Sequence, residues 1–447
     1  MSLLLIAVIT ILGIILGKFL FKKWMNHLTI YSLIMGGQTF LYQLKLLPYV
    51  NVIPLSWFFL IGSFISLVLG ILTYISAKKL YSVKEVFTKQ SIIDLPIFAD
   101  DGKALKYTII FFIIVSFFVA IQRWVVLIHM FGSIPAVIIN AGVVYRLNVN
   151  REIKEFLPIL PNFIYVGVFL VGIYSAYKRK FTLLTFLPFI SIVIKELTYF
   201  GRGEILFALL EFLFTFFLFR HLLNDEPSGK YKFSKSNAII ASTILMSFLI
   251  ISVSLVRITR GNYENYVGAS PGLSKLKNNF IISPSIYLYL SSNVGVFSEY
   301  LASGGEKTKF GQNTFLLFYD FLAQVEREPR PKFFQRGYYI PMWTNTGTYL
   351  RELHADFGIA GIFLVPYLLG LVITWLWYKF YEGHSLIVLA FLVYLYLIIG
   401  HSFLMMITRL NLWYFSLFLL ILFIPVLERI ALRGKKQSIE EGIIGRA

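Results

Sequence analysis

Four titratable side chains, Arg351, Glu352, His354 and Asp356, fall within six residues of one another. His354 or Asp356 could serve as a general base, taking the proton of a sugar hydroxyl as it attacks an anomeric carbon. The group stands just before an apolar run, and the N-terminus of a helix favours anions such as a diphosphate. The same place makes Asp356 a candidate N-cap and His354 a candidate solvent-exposed residue. If the helix begins early, Arg351 and His354 share a face, being three apart. Further arginines stand at the ends of apolar runs: Arg202 in Gly201-Arg202-Gly203-Glu204, Arg257 with Arg260, and Arg409. Guanidinium forks grip phosphate oxygens two at a time, so Arg202, Arg257, Arg260, Arg351 and Arg409 are candidates for holding a lipid diphosphate. The plainer alternative is snorkelling to headgroups, which fits the tight Gly-Arg-Gly setting of Arg202 least well. Lys195 and Glu196 close another apolar run, where they could act, reach water or pair with each other. His401 could join the Arg351–Asp356 group.

Much chemistry is excluded. The chain has no cysteine, so disulfides and thiolate metal sites are absent. No Walker motif, glycine-rich dinucleotide loop, H-E-x-x-H or G-x-S-x-G occurs in a suitable context. ATP-driven transport and zinc hydrolysis therefore lack support.

The elements that must position these residues are membrane helices. Of 447 residues 57% are hydrophobic and 14% charged, and the mean hydropathy is +0.74. Soluble domains carry about a quarter charged residues, and about 20 apolar residues cross a bilayer. The apolar runs predict an all-α polytopic membrane protein of about eleven helices. They lie near Leu3–Phe21, Leu28–Leu47, Pro54–Ala77, Tyr107–Leu127, Phe156–Tyr177, Phe181–Phe200, Ile205–Leu222, Ala238–Val256, Phe357–Tyr378, Ser385–Met405 and Trp413–Ile430. The first run lacks a basic leader and a small-residue cleavage site and reads as a retained helix. The run Ile134–Tyr145 is too short to span and reads as interfacial. Residues 1–256 form an N-terminal bundle of eight predicted helices. Residues 257–356 form a large loop, and residues 357–447 hold the last three predicted helices and a tail.

Charge sets the orientation. The net charge is +18, spread over helix ends rather than one patch, which argues against nucleic acid. Segments after odd-numbered helices hold Lys22-Lys23, Lys78–Lys106, Lys178-Arg179-Lys180, Lys379 and Arg433–Lys436. The positive-inside rule makes that side cytoplasmic. The tail is then cytoplasmic. The large loop, Arg202 and Arg409 face outward. That loop holds Tyr263, Tyr266, Tyr287, Tyr289, Tyr338, Tyr339 and Trp343, which suit sugar stacking and interface anchoring alike. Arg327-Glu328-Pro329-Arg330-Pro331-Lys332 reads as a rigid, solvated turn.

Three features carry a family resemblance. The first is the Gly201-Arg202-Gly203-Glu204 junction. The second is the Arg257/Arg260 pair opening the large loop. The third is Asn345-Thr346-Gly347-Thr348-Tyr349-Leu350 followed by Asp356-Phe357-Gly358-Ile359-Ala360-Gly361. In these the chain resembles bacterial oligosaccharide repeat-unit polymerases, the O-antigen and capsule polymerase group, which share a superfamily with the O-antigen ligases. The resemblance implies a multi-pass glycosyltransferase of the bacterial inner membrane, working on its outer side. It would move a growing glycan from undecaprenyl diphosphate to a new lipid-linked repeat unit, in contact with membrane lipids. A chain-length regulator and a flippase would be its partners. The outer arginines would hold the diphosphate, with no metal and no cofactor expected. Ligases carry a histidine shortly before the Tyr-Leu of the last motif. Here that place holds Thr346 or Gly347, and the nearest histidine is His354. The departure favours polymerase over ligase and leaves the general base unassigned. A lipid-linked oligosaccharide flippase is the rival from another class, but two similar halves and a line of mid-helix charges are missing.

Overall fold

A backbone crossing lipid must satisfy its hydrogen bonds internally, and a helix does so within one segment. The computed structural model describes residues 2–80, 95–150, 152–153, 159–201, 203–224, 239, 243, 284–332 and 335–444. The helices run α1 (Leu3–Phe21), α2 (His27–Gln43), α3 (Pro54–Leu80), α4 (Ala99–Phe131), α5 (Ile134–Ile139), α6 (Ala141–Val149), α7 (Phe163–Lys178), α8 (Leu183–Tyr199) and α9 (Gly203–Asn224). After residue 283 come α10 (Pro284–Ser291), α11 (Asn293–Ala302) and α12 (Leu316–Glu326). A two-stranded hairpin follows, β1 (Tyr338–Tyr339) and β2 (Trp343–Thr344), then α13 (Tyr349–Gly383), α14 (Leu386–His401) and α15 (Asn411–Ile444).

Among the described residues seven helices are long and apolar enough to cross a membrane: α1, α3, α4, α7, α9, α13 and α15. The chain is a helical, membrane-embedded protein. Helix α14, of 16 residues, is apolar but shorter. Helices α2 and α8, of 17 residues each, fall where the second and sixth apolar runs lie. The run Ala238–Val256 is outside the described residues except for Ile239 and Thr243. The short run after Phe131 folds as α5 and α6, divided at Asn140.

The long apolar helix predicted from about Phe357 is there, and α13 opens ahead of it with a short helical stretch from Tyr349 that carries the polar group. Its regular path breaks at Gly358, with φ 64° and ψ −150°, a conformation open essentially only to glycine. Asp356 therefore closes a short helical stretch rather than capping a long one. The polar segment can be helical because its charges are buried against distant partners, described below.

The chain forms two compact units that interleave in sequence. One comprises Met1–Val86, Tyr263–Tyr378 and Tyr394–Tyr414; the other comprises Phe87–Asn262, Lys379–Val393 and Phe415–Ala447. In the first, small residues bring backbones together, as lipid-buried helices require. A Cβ on Gly70 would lie 2.0 Å from the Tyr367 carbonyl oxygen, and one on Gly370 would lie 2.3 Å from that of Leu67. Helices α3 and α13 thus touch backbone to backbone. The Tyr31 and Tyr349 hydroxyls meet at 2.8 Å, and His27 Nε2 lies 3.0 Å from Thr374 Oγ1. These contacts fix α13 against α2 and α3 at its first turn and along its length. In the second unit α4, α7, α8 and α9 pack together, with the rings of Phe112, Phe163 and Phe423 in mutual contact.

Candidate functional site

The opening turns of α13 gather charges that would be costly to bury alone. Each is met by a specific partner. The Asp356 carboxylate receives five hydrogen bonds. Oδ1 accepts from Thr308 Oγ1 at 2.7 Å, Asn313 N at 2.9 Å and Asn313 Nδ2 at 2.8 Å. Oδ2 accepts from Thr314 N at 2.7 Å and Thr314 Oγ1 at 2.8 Å. The carboxylate knots residues 308–314 onto α13. The Thr314 carbonyl in turn accepts from Thr408 Oγ1 at 2.7 Å and Tyr414 Oη at 3.2 Å. With both oxygens engaged, Asp356 is placed to hold this turn.

Glu352 and Arg409 form a buried ion pair, Nη1 to Oε1 at 2.5 Å. The other Glu352 oxygen accepts from the Met406 amide, and Arg409 Nη2 reaches the Lys332 carbonyl at 3.4 Å. Arg351 is wholly buried. Its guanidinium lies between the rings of Tyr300 and Tyr338, at 5.3 and 5.2 Å from their centroids. It donates from Nη2 to the Arg336 carbonyl at 2.6 Å and from Nη1 to that of Asn345 at 3.4 Å. Glu306 stands 3.7 Å away. Arg351 thus clamps the hairpin and α11 to α13. Cation–π contacts and charge-assisted bonds favour arginine over lysine in such a place.

His354 alone of this group is neither fully buried nor closed by charge. It is half-buried, with Nδ1 2.9 Å from the Tyr300 hydroxyl and its ring near that of Phe59. The same hydroxyl lies 3.1 Å from the Glu306 carbonyl. A phenol has one hydrogen to give. Both contacts are made together only if it donates to Glu306 and accepts from Nδ1–H. That leaves the lone pair of the neutral imidazole on Nε2, the tautomer a general base needs. Burial pushes the Tyr300 phenol up to about 12, so it stays protonated in this bond. The turn after α11 is shaped for the pair: Gly305, at φ 74°, would put a Cβ 3.4 Å from His354 Cε1 and 3.3 Å from the Tyr300 hydroxyl.

Of the predicted residues, the structure brings Arg351, His354, Asp356 and Arg409 together through Tyr300, Glu306, Glu352 and the 308–314 turn. His401 is buried at the end of α14, Nδ1 3.0 Å from the Leu397 carbonyl. Arg202, Arg257, Arg260, Tyr263 and Tyr266 lie outside the described residues. Sequence reasoning passed over Tyr300, Thr308, Asn313 and Thr314. The Gly304-Gly305 pair after Tyr300 was the available signal of a tight turn.

The second unit holds its own polar group. Lys195 pairs with Glu204 at 2.5 Å, and the same Glu204 oxygen accepts from the Tyr165 hydroxyl. Arg123 donates to Asn148 Oδ1 and lies 4.3 Å from the Tyr199 ring centroid. Asn148 holds the Thr198 carbonyl at 3.1 Å. Among the described residues no group of three or more His, Asp or Glu side chains is placed to hold a metal ion. Comparison with protein-family models, with curated proteins and with solved structures gives no match.

Proposed function

We propose that the chain is a membrane glycosyltransferase that polymerises oligosaccharide repeat units carried on undecaprenyl diphosphate, for a surface polysaccharide such as O-antigen or capsule. The observation that carries this reading is His354: one half-buried imidazole with Nε2 open, oriented by Tyr300, among charges otherwise closed by partners. The resemblance in the Asn345–Leu350 and Asp356–Gly361 motifs supports it.

In this reading an acceptor sugar hydroxyl loses its proton to His354 Nε2 as its oxygen bonds the anomeric carbon. The bond from that carbon to the diphosphate oxygen breaks, and undecaprenyl diphosphate leaves with the electron pair. Arg202, Arg257 and Arg260 hold that leaving group. Arg351 and Arg409, buried and engaged, keep His354 and the 308–314 turn in place. Asp356 serves the same end rather than as base. The chain crosses the bacterial inner membrane about eleven times, with the large loop outside and the tail in the cytoplasm. The bias of lysine and arginine supports that orientation. A flippase supplies the lipid-linked units and a chain-length regulator sets the product. A ligase would use similar chemistry, but the Thr346-Gly347 positions favour the polymerase.

Cells carrying His354→Ala, at normal protein level, should show single repeat units on the lipid carrier and no ladder of longer glycans on gels. A persistent ladder overturns the reading. The orientation has its own test, since the chain lacks cysteine. An impermeant thiol reagent should label Ser303→Cys but not Ser228→Cys in intact spheroplasts. The reverse pattern inverts the topology.

A further inference from the structure

Helix α12 turns its apolar face away from the protein. Phe318, Phe321, Leu322 and Val325 recur at i, i+3, i+4 and i+7, one stripe of a helix. They are 54, 62, 45 and 65% exposed. The opposite side, Leu316, Asp320 and Ala323, is buried, and the helix packs on the turn Ile407–Arg409. Single exposed apolar residues are ordinary, but a contiguous row marks a binding surface.

What covers this row follows from its neighbours. Phe310 packs edge-on against Phe357 at 4.8 Å, immediately before the Gly358 break. Beyond the break α13 runs on as a candidate span, with Ile359, Leu364 and Leu368 exposed. Phe315 stands between Phe310 and the stripe and is itself exposed. At the other side Phe318 meets the ring of Tyr414 at 5.7 Å, in the first turn of α15, another candidate span. The apolar row is thus continuous with surfaces built to face lipid, and α12 stands where two membrane helices begin.

Charge agrees. Residues 307–336 contain six Lys and Arg against three Asp and Glu. Lys307, Lys309, Arg327, Arg330 and Lys332 are exposed on either side of α12. Glu326 and Glu328 are exposed as well, and Glu328 lies 3.6 Å from Lys309. An amphipathic helix with a basic surround is the form that binds an anionic lipid surface in its plane.

We propose that α12 lies in the headgroup layer of the membrane, its Phe318–Val325 stripe in the upper acyl region and its flanking basic residues among anionic headgroups. The Asp356-bound turn of residues 308–314 leads directly into α12, so this seating fixes that turn against the bilayer surface.

The test uses the full chain in nanodiscs and needs no activity, so it stands apart from the enzymatic reading. Phe321→Cys, Val325→Cys and Gln324→Cys each carry a fluorescent thiol label. Lipids spin-labelled near the top of the acyl chain should quench positions 321 and 325 several-fold more than 324, while aqueous iodide favours 324. Added anionic phosphatidylglycerol should strengthen lipid quenching at 325. Iodide quenching at 321 and 325 equal to that at 324 would overturn the proposal. So would protection of both from either quencher, which would mean that protein, such as a second copy, covers the row. Where Phe321→Cys fails to fold, Leu322→Cys takes its place with the same expectation.

Discussion

The two polar groups of this molecule bury charge in different ways. At the opening of α13, partners come from far along the chain. Asp356 holds residues 308–314, Arg351 holds the carbonyls of Arg336 and Asn345, and Arg409 closes on Glu352. In the second unit Glu204 and Asn148 bring neighbouring helix ends together. Lys195 closes α8 and meets Glu204 in the first turn of α9, across the Gly201–Gly203 junction. The first arrangement orders a loop; the second staples a helix turn. Buried charge alone therefore does not mark a site. What sets the first unit apart is a half-buried imidazole with one nitrogen open, held by neighbours that are themselves closed.

Breaking a closed pair should have the largest effect. Arg409→Ala or Glu352→Ala leaves an uncompensated buried charge and should cost about 3–5 kcal/mol. It should appear as a large fall in thermal stability in detergent. Glu352→Met with Arg409→Met should recover most of that loss, because a packed apolar pair needs no compensation. If the double variant is as unstable as the singles, the pair does more than neutralise itself.

Asp356→Asn sharpens the contrast. Its amide nitrogen would face donors at Asn313 or Thr314, for a cost of about 2–3 kcal/mol. Limited proteolysis should then cut within residues 308–314 before the rest of the chain. In the second unit Lys195→Ala should cost less, about 1–2 kcal/mol, since Glu204 is partly exposed and keeps the Tyr165 hydroxyl. Equal losses from Asp356→Asn and Lys195→Ala, with no new cleavage, would erase the distinction between loop-ordering and stapling charges. The smallest effect is expected from Gly305→Ala. A side chain at its positive φ costs about 1 kcal/mol, and its contact with Tyr300 and His354 should lower elongation more than stability. Stability lost with activity intact would show that the turn does not bear on His354.

The apolar helices were legible in the sequence because a bilayer demands about 20 apolar residues in a row, and the candidate spans α1, α3 and α9 begin close to their predicted places. The opening of α13 was not. Arg351, Glu352, His354 and Asp356 look like loop residues until Arg409, Tyr300 and Thr314 are seen against them, and those partners are 42 to 57 residues away. The i, i+3 relation of Arg351 and His354 was legible, and both do meet Tyr300. The proposed split of roles between His354 and Asp356 was not, because it depends on which donors a carboxylate meets. Nor was the stripe on α12, whose exposed and buried sides only the packing separates.

The most direct measurement is elongation of lipid-linked repeat units by the purified protein in nanodiscs. A general base contributes about 10²–10⁴-fold in rate. His354→Ala should lose activity on that scale while its melting temperature stays near wild type. Tyr300→Phe, which removes only the acceptor of His354 Nδ1–H, should lose less than His354→Ala does. The wild-type profile should show no Tyr300 ionisation below about 12. His354→Ala retaining more than about a tenth of the wild-type rate, in folded protein, would contradict the account.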